Sequence, residues 1–170
     1  MRAKRKLAIL LRKIRSAYYT LRIKMVVGSF HALLKIHGKS FATRNVHLGK
    51  NVNFNGMKIV GNGTVHIGDN FHSGIECMII TQLHNYEGAE IPYDSTYILK
   101  NITIGDNVWL GNRVIILGGV TIGEGAIIQA GSVVVNDIPD CAIAGGHPAR
   151  IFNYRDKGHY YQLKAEEKFH

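Results

Sequence analysis

Cysteine, proline and charge are all scarce in this 170-residue chain, which holds two cysteines, three prolines and 19% charged residues. Cys77 and Cys141 lie far apart with no Cys-x-x-Cys pair, which excludes a disulfide framework and a zinc ribbon and fits a reducing, cytoplasmic setting. Long hydrophobic runs are missing too. The longest early one, Leu7 to Leu11, ends at Arg12, too short for a signal-peptide core or for a membrane span of about 20 residues. The expectation is a protein neither secreted nor integral to a membrane. At 46% hydrophobic, the chain can still build one sizeable core.

Acidic residues are absent from positions 1–24, which carry nine Lys and Arg; the rest of the chain balances 12 basic residues against 12 acidic. A neutral body lacks the phosphate-binding footprint of a nucleic-acid protein, so no nucleic-acid partner is expected. Within the arm, Leu7, Leu10, Leu11, Ile14, Tyr18 and Leu21 recur at helical spacing between basic residues. That pattern predicts a basic amphipathic helix over a region of residues 1–27. It has two readings: a cap on the body of the protein, or peripheral contact with an anionic membrane surface.

What the sequence does have is a repeat. An aliphatic residue returns every six positions at Ile104, Leu110, Ile116, Ile122, Ile128 and Val134, and glycine follows three of them at Gly105, Gly111 and Gly123. Four positions after each stands a second small or β-branched group: Val108, Val114, Val120, Ala126, Ser132 and Ile138. Upstream the same spacing reads Leu48, Phe54, Val60 and, after one extra residue, Ile67, Ser73, Ile79; the tetrapeptide IGDN occurs at both 67–70 and 104–107. A period of six is neither helical nor a plain alternation. Short strands joined by tight turns satisfy it, with the aliphatic pointing inward, glycine serving the turn angles, and coils stacked about 4.8 Å apart. The fold class expected is an all-β solenoid over residues 28–153.

This pattern, running through ITIGDNVWLGNRVIILGGVTIGEGAIIQAGSVVVNDIPDCAIAGGHPARI, resembles the hexapeptide-repeat acyltransferase superfamily over roughly residues 45–153. The resemblance implies a left-handed parallel β-helix, a homotrimer and acetyl-CoA as co-substrate. Within the superfamily the chain is similar to galactoside, maltose and xenobiotic acetyltransferases. Residues 81–103 interrupt the repeat with a polar, aromatic excursion loop, and residues 154–170 read as a short helical tail.

Acyl transfer to a hydroxyl needs a base and an oxyanion donor. His84, in that loop, is the candidate base, since an imidazole of pKa about 6.5 is largely neutral at pH 7. By the resemblance, Trp109 packs beside the catalytic imidazole and the backbone at Gly111 and Asn112 faces the thioester oxygen. The resemblance also assigns Asn112, Gly119, Ala130, Gly131, Val135, Asn136 and Arg150 to coenzyme A. Arg150 adds a physical reason, as a guanidinium pairs with phosphate. The resemblance to the sugar acetyltransferases points, by position, to Asn53, Asn55, Asn62, Asn85, Tyr86 and Glu87 for the acceptor.

The function expected is O-acetylation of a sugar or saccharide, in polysaccharide or cell-envelope biosynthesis. Xenobiotic acetylation is the alternative, and more remote ones are a non-catalytic trimeric scaffold and a carbonic-anhydrase-like zinc enzyme using His66, His72 and His84. Residues six apart fall on successive faces of a triangular coil, so His66 and His72 cannot converge on one ion at about 2.0–2.1 Å. No metal is expected.

Overall fold

A computed structural model describes residues 2–170 of the chain, with side chains from Lys4 onward. Short parallel strands stack into three faces of a β-solenoid. The first face carries Val46–Leu48, Val65–Ile67, Ile102–Ile104 and Thr121–Ile122, with Ser29–Phe30 at its edge. The second runs from Lys35–Gly38 through Asn53–Asn55, His72–Ile75, Trp109–Leu110 and Ile127–Ile128 to Ala142–Gly146. Lys58–Val60, Met78–Ile80, Ile115–Leu117 and Val133–Val134 form the third.

Both points of the sequence repeat face the core. The six aliphatics from Ile104 to Val134 are at most 1% exposed, and their partners from Val108 to Ile138 at most 4%. Burial of an Ile or Leu side chain is worth roughly 1.5–3 kcal/mol, so each coil contributes several such terms. Upstream, the register differs from expectation at one place. Ile59 points inward and Val60 is half-buried, because the coil reaches the third face one residue early: Asn53–Asn55 pairs with His72–Ile75 across a register shift, with one residue fewer.

Left-handed corner positions fall to Asn51, Asn70, Asn107 and Arg113, with φ of 56°, 54°, 58° and 57°, and to glycine at Gly119, Gly125 and Gly131. Gly105, Gly111 and Gly123, which follow the inward aliphatics, do not hold such positions. Glycine is required because the next coil passes so close. A Cβ on Gly111 would meet the Ala130 nitrogen at 2.5 Å, and one on Gly123 would meet the Asp140 nitrogen at 2.5 Å. The asparagines build a ladder along their corner: the Asn51 amide donates to Asn70 at 3.0 Å and the Asn70 amide to Asn107 at 2.9 Å.

Helix α1 (Arg2–Lys24) closes the N-terminal end. The terminal strand Lys35–Gly38 has no further coil beneath it, and α1 supplies its partners: Thr20 Oγ1 accepts from the Ile36 N–H at 3.0 Å, and Ser16 Oγ donates to the Ile36 carbonyl at 2.9 Å. Ile23 is buried in the same contact. The second half of α1 is therefore packed onto the body as a cap. At the other end, Ala142–Gly146 pairs antiparallel with Ala149–Tyr154, so the tail begins later than expected. Helix α2 (Lys157–Ala165) then lies along the asparagine corner. Asn107 donates to the Tyr160 hydroxyl, Tyr160 donates to Glu124 at 2.8 Å, and Lys164 pairs with Glu124 at 2.6 Å. Among the described residues no helix is long and apolar enough to cross a membrane.

Candidate active site

The interrupting segment is more ordered than a loop. Gln82–His84 leaves the corner after the third face and pairs antiparallel with Tyr97–Leu99, and Ile102–Ile104 already belongs to the first face. The excursion proper is the tip, residues 85–96. Asp94 organises it, accepting from the Thr96 N–H at 2.8 Å, the Thr96 hydroxyl and the Ala89 N–H at 3.1 Å. The Thr96 hydroxyl is the foremost of the hydrogen bonds that hold the Asp94 carboxyl below its ordinary range.

His84 stands at the base of this ribbon, exposed, in register with Tyr97. Its ring stacks on Tyr93 at 3.9 Å between centroids and 19° between planes, with Tyr97 at 4.9 Å. Neither ring nitrogen forms a hydrogen bond among the described residues. An imidazole oriented by its faces and free at both nitrogens can accept a proton from a bound hydroxyl. Tyr93 and Tyr97 had no signal in the sequence, because their closeness to His84 is set by strand pairing across the insertion.

Trp109 sits elsewhere. It lies on the second face between His72 and Ile127, half exposed, in a cleft of about 470 Å³ that α2 and the C-terminal residues complete with Tyr160, Leu163, Phe169 and His170. Within one chain, the aromatic neighbours of His84 are the two tyrosines instead. A larger cleft of about 1050 Å³ runs between α1 and the second face, lined by Arg12, Arg15, Lys24, His37 and Asn55. His84 borders neither cleft.

Asn112 lies at the corner between the second and third faces. Its side-chain oxygen accepts from the Ile75 N–H at 3.0 Å and its carbonyl from the Gly131 N–H at 2.7 Å, while its own N–H has no acceptor among the described residues. Gly111, Ala130 and Gly131 stack at the same corner. Arg150, exposed on the closing strand, is in register with Gly145, which packs on Gln129. Gly119, Val135 and Asn136 lie across the third face, at the corner from which the His84 ribbon departs. Lys100 reaches Gly119 there, its Cδ 3.5 Å from where a Cβ would stand. The coenzyme candidates thus line both edges of the third face.

Several acceptor candidates are already engaged. Asn53 is 5% exposed, its amide donating to the Asn51 carbonyl and facing His72 Nε2 at 3.0 Å. Burial, then the nearby His170, pushes the His72 pKa below 6.5. The Asn55 amide donates to the Ser73 carbonyl at 2.7 Å, and Asn85 shapes its own loop through Glu87 and Thr96. These three asparagines are tied into the scaffold, whereas Asn62, Tyr86 and Glu87 are exposed. His66 stacks on His47 on the first face, His72 lies on the second and His84 on the ribbon, so the three do not meet at one point.

Residues 101–136 match the family model "Bacterial transferase hexapeptide (six repeats)". The solved structure of a galactoside acetyltransferase in complex with coenzyme A superposes with a TM-score of 0.72 at 30% identity, covering 81% of this chain and 70% of that one. This chain belongs to the hexapeptide-repeat acyltransferase superfamily. Among other superfamily members, a maltose O-acetyltransferase from Clostridium difficile 630 superposes with a TM-score of 0.68 at 29% identity, covering 79% of this chain and 73% of that one. The galactoside O-acetyltransferase of Escherichia coli K12 is 40% identical over 123 residues, 69% of this chain. The chain spans 60% of that relative's length.

Proposed function

We propose that this protein is an acetyl-CoA-dependent O-acetyltransferase acting on a hydroxyl of a sugar or saccharide, in polysaccharide or cell-envelope biosynthesis. The observation that carries the reading is His84, held between two tyrosines with both nitrogens free. The acceptor hydroxyl gives its proton to His84 as its oxygen attacks the thioester carbonyl. The tetrahedral oxyanion takes a hydrogen bond from the Asn112 N–H, which has no acceptor among the described residues. Collapse breaks the carbon–sulfur bond, and the imidazolium returns its proton to the departing thiolate. Asn112, Gly119, Ala130, Gly131, Val135, Asn136 and Arg150 hold the coenzyme, and Asn62, Tyr86 and Glu87 face the acceptor.

The likeness to a coenzyme A-bound galactoside acetyltransferase supports the donor and the acceptor class. A homotrimer belongs to the same reading. Trp109 lies on the second face in a cleft that the His84 of its own chain does not line, and in this reading neighbouring subunits complete each site. Residues 1–27 make peripheral contact with the cytoplasmic surface of a membrane.

Calorimetric titration with acetyl-CoA tests the donor, with saturation near one per subunit expected. His84→Ala should keep that binding and lose about 10²–10⁴-fold in turnover, the usual contribution of a positioned acid–base group. Near-normal turnover by the variant, or no binding at millimolar acetyl-CoA, overturns the proposal.

A further inference from the structure

Helix α1 has two functional sides. At 3.6 residues per turn, Ser16, Thr20 and Ile23 share the side that caps the terminal coil, and the apolar row lies roughly opposite. That row, Leu7, Leu10, Leu11, Ile14, Tyr18 and Leu21, is between 53% and 58% exposed along its whole length. Packing on the solenoid therefore leaves unpartnered the stripe that gives the helix its amphipathic character. On one edge of the stripe stand Lys6, Lys13 and Lys24, and on the other Lys4, Arg15 and Arg22.

Charge decides what covers it. The first acidic residue of the chain is Asp69, so cations flank the stripe on both edges with no carboxylate nearby in sequence. A second copy of α1 would set like charge against like. Nucleic acid would match the cations and leave the leucines in water. An anionic bilayer surface satisfies both, with acyl chains receiving the stripe and lipid phosphates meeting the flanking lysines and arginines.

We infer that α1 docks flat on an anionic lipid surface through the stripe Leu7 to Leu21, with the first coil of the solenoid held directly above it. This specifies the membrane contact proposed above and rests on that reading, not on the acyl-transfer chemistry. Because Ser16 and Thr20 tie α1 to Ile36, docking orients the whole solenoid. In a trimer of parallel solenoids three such helices share one end, and the attachment becomes multivalent. A saccharide borne on a lipid is the acceptor such an orientation would serve.

The test is co-sedimentation of the full chain with phosphatidylcholine vesicles containing about a third phosphatidylglycerol, against phosphatidylcholine alone. Binding to the anionic vesicles should exceed that to neutral ones by about tenfold and weaken in about 0.5 M salt. The double substitution Leu10→Gln, Ile14→Gln should weaken it by about tenfold more, since both side chains face away from the solenoid. Its acetyl-CoA binding and circular dichroism should match the parent, which separates this inference from the enzymatic reading. Equal pelleting of parent and variant, or equal binding to both vesicle types, overturns it. So does a change of oligomeric state in the double variant, which would assign the stripe to a subunit contact.

Discussion

The Sγ of Cys77 lies 3.1 Å from the carbonyl oxygen of Gly111 and donates its thiol proton to it. That carbonyl belongs to the peptide unit whose N–H is Asn112. The thiol grips the inner end of the unit and leaves the N–H pointing out of the corner. Burial pushes the Cys77 pKa up, which keeps the proton on sulfur and the donor in place.

Removing this grip should loosen the Asn112 N–H, the proposed oxyanion donor, without touching the proposed coenzyme contacts. Cys77→Ala is expected to lower kcat about tenfold with KM for acetyl-CoA nearly unchanged, while Cys77→Ser, which keeps a donor, restores most of the rate. Steady-state kinetics on the three proteins checks this. Loss confined to KM would mean that Cys77 only shapes the corner.

Tyr93 should matter through the imidazole that it stacks on. Tyr93→Leu removes the flat partner 3.9 Å from His84. Turnover should fall about ten- to a hundredfold, since small misplacements of a reacting group are costly. The loss should fall on kcat, with KM for acetyl-CoA nearly unchanged. A loss confined to KM would instead assign Tyr93 to binding.

Attachment of α2 should fail in acid. Burial raises the Glu124 pKa, but hydrogen bonds from Lys164 and Tyr160 outweigh it and bring the value below 4.5. A carboxylate with a lowered folded pKa contributes stability that is present above pH 4.5 and lost as the pH falls through the folded value. Burial and the bond to Glu124 push the Tyr160 pKa up, so its hydroxyl stays a donor throughout this range. Hydrogen exchange of residues 157–165 should therefore accelerate below about pH 4.5. Glu124→Gln should show fast exchange at neutral pH and lose the acid dependence.

Thr20 should prove structural although it sits on the helix rather than in the solenoid. Thr20→Val leaves the buried N–H of Ile36 without an acceptor and is expected to cost about 1–3 kcal/mol, read from urea unfolding. Ser16→Ala removes a donor to the same residue's carbonyl and should cost less, since a carbonyl tolerates an unmade bond more readily.

The repeat from Ile104 to Val134 was legible because one period dictates one inward direction every six residues, and all six side chains obey it. The register failed at Ile59 and Val60, where one residue fewer between Asn53 and Asn55 shifts the count without changing the composition. Glycine was read as a turn residue, which holds at Gly119, Gly125 and Gly131, whereas Gly105, Gly111 and Gly123 answer to the next coil's backbone, a neighbour 17 to 19 residues away that no local pattern names.

The site divides in the same way. His84 stood out as a base candidate because it lies in a polar break between apolar repeats, and helix α1 because its apolar and basic residues recur at helical spacing. By itself the sequence determined the solenoid, the break that carries His84 and the two-sided character of α1, since each depends on short-range spacing. Only the tertiary structure decided that Tyr93 and Tyr97 flank the imidazole and that Asn53 and Asn55 serve the scaffold. It alone also decided that Ser16 and Thr20 turn the apolar stripe of α1 away from the protein. Those outcomes hang on pairing between segments distant in the chain, where the partner that satisfies a polar group is chosen by geometry and not by its neighbours in sequence.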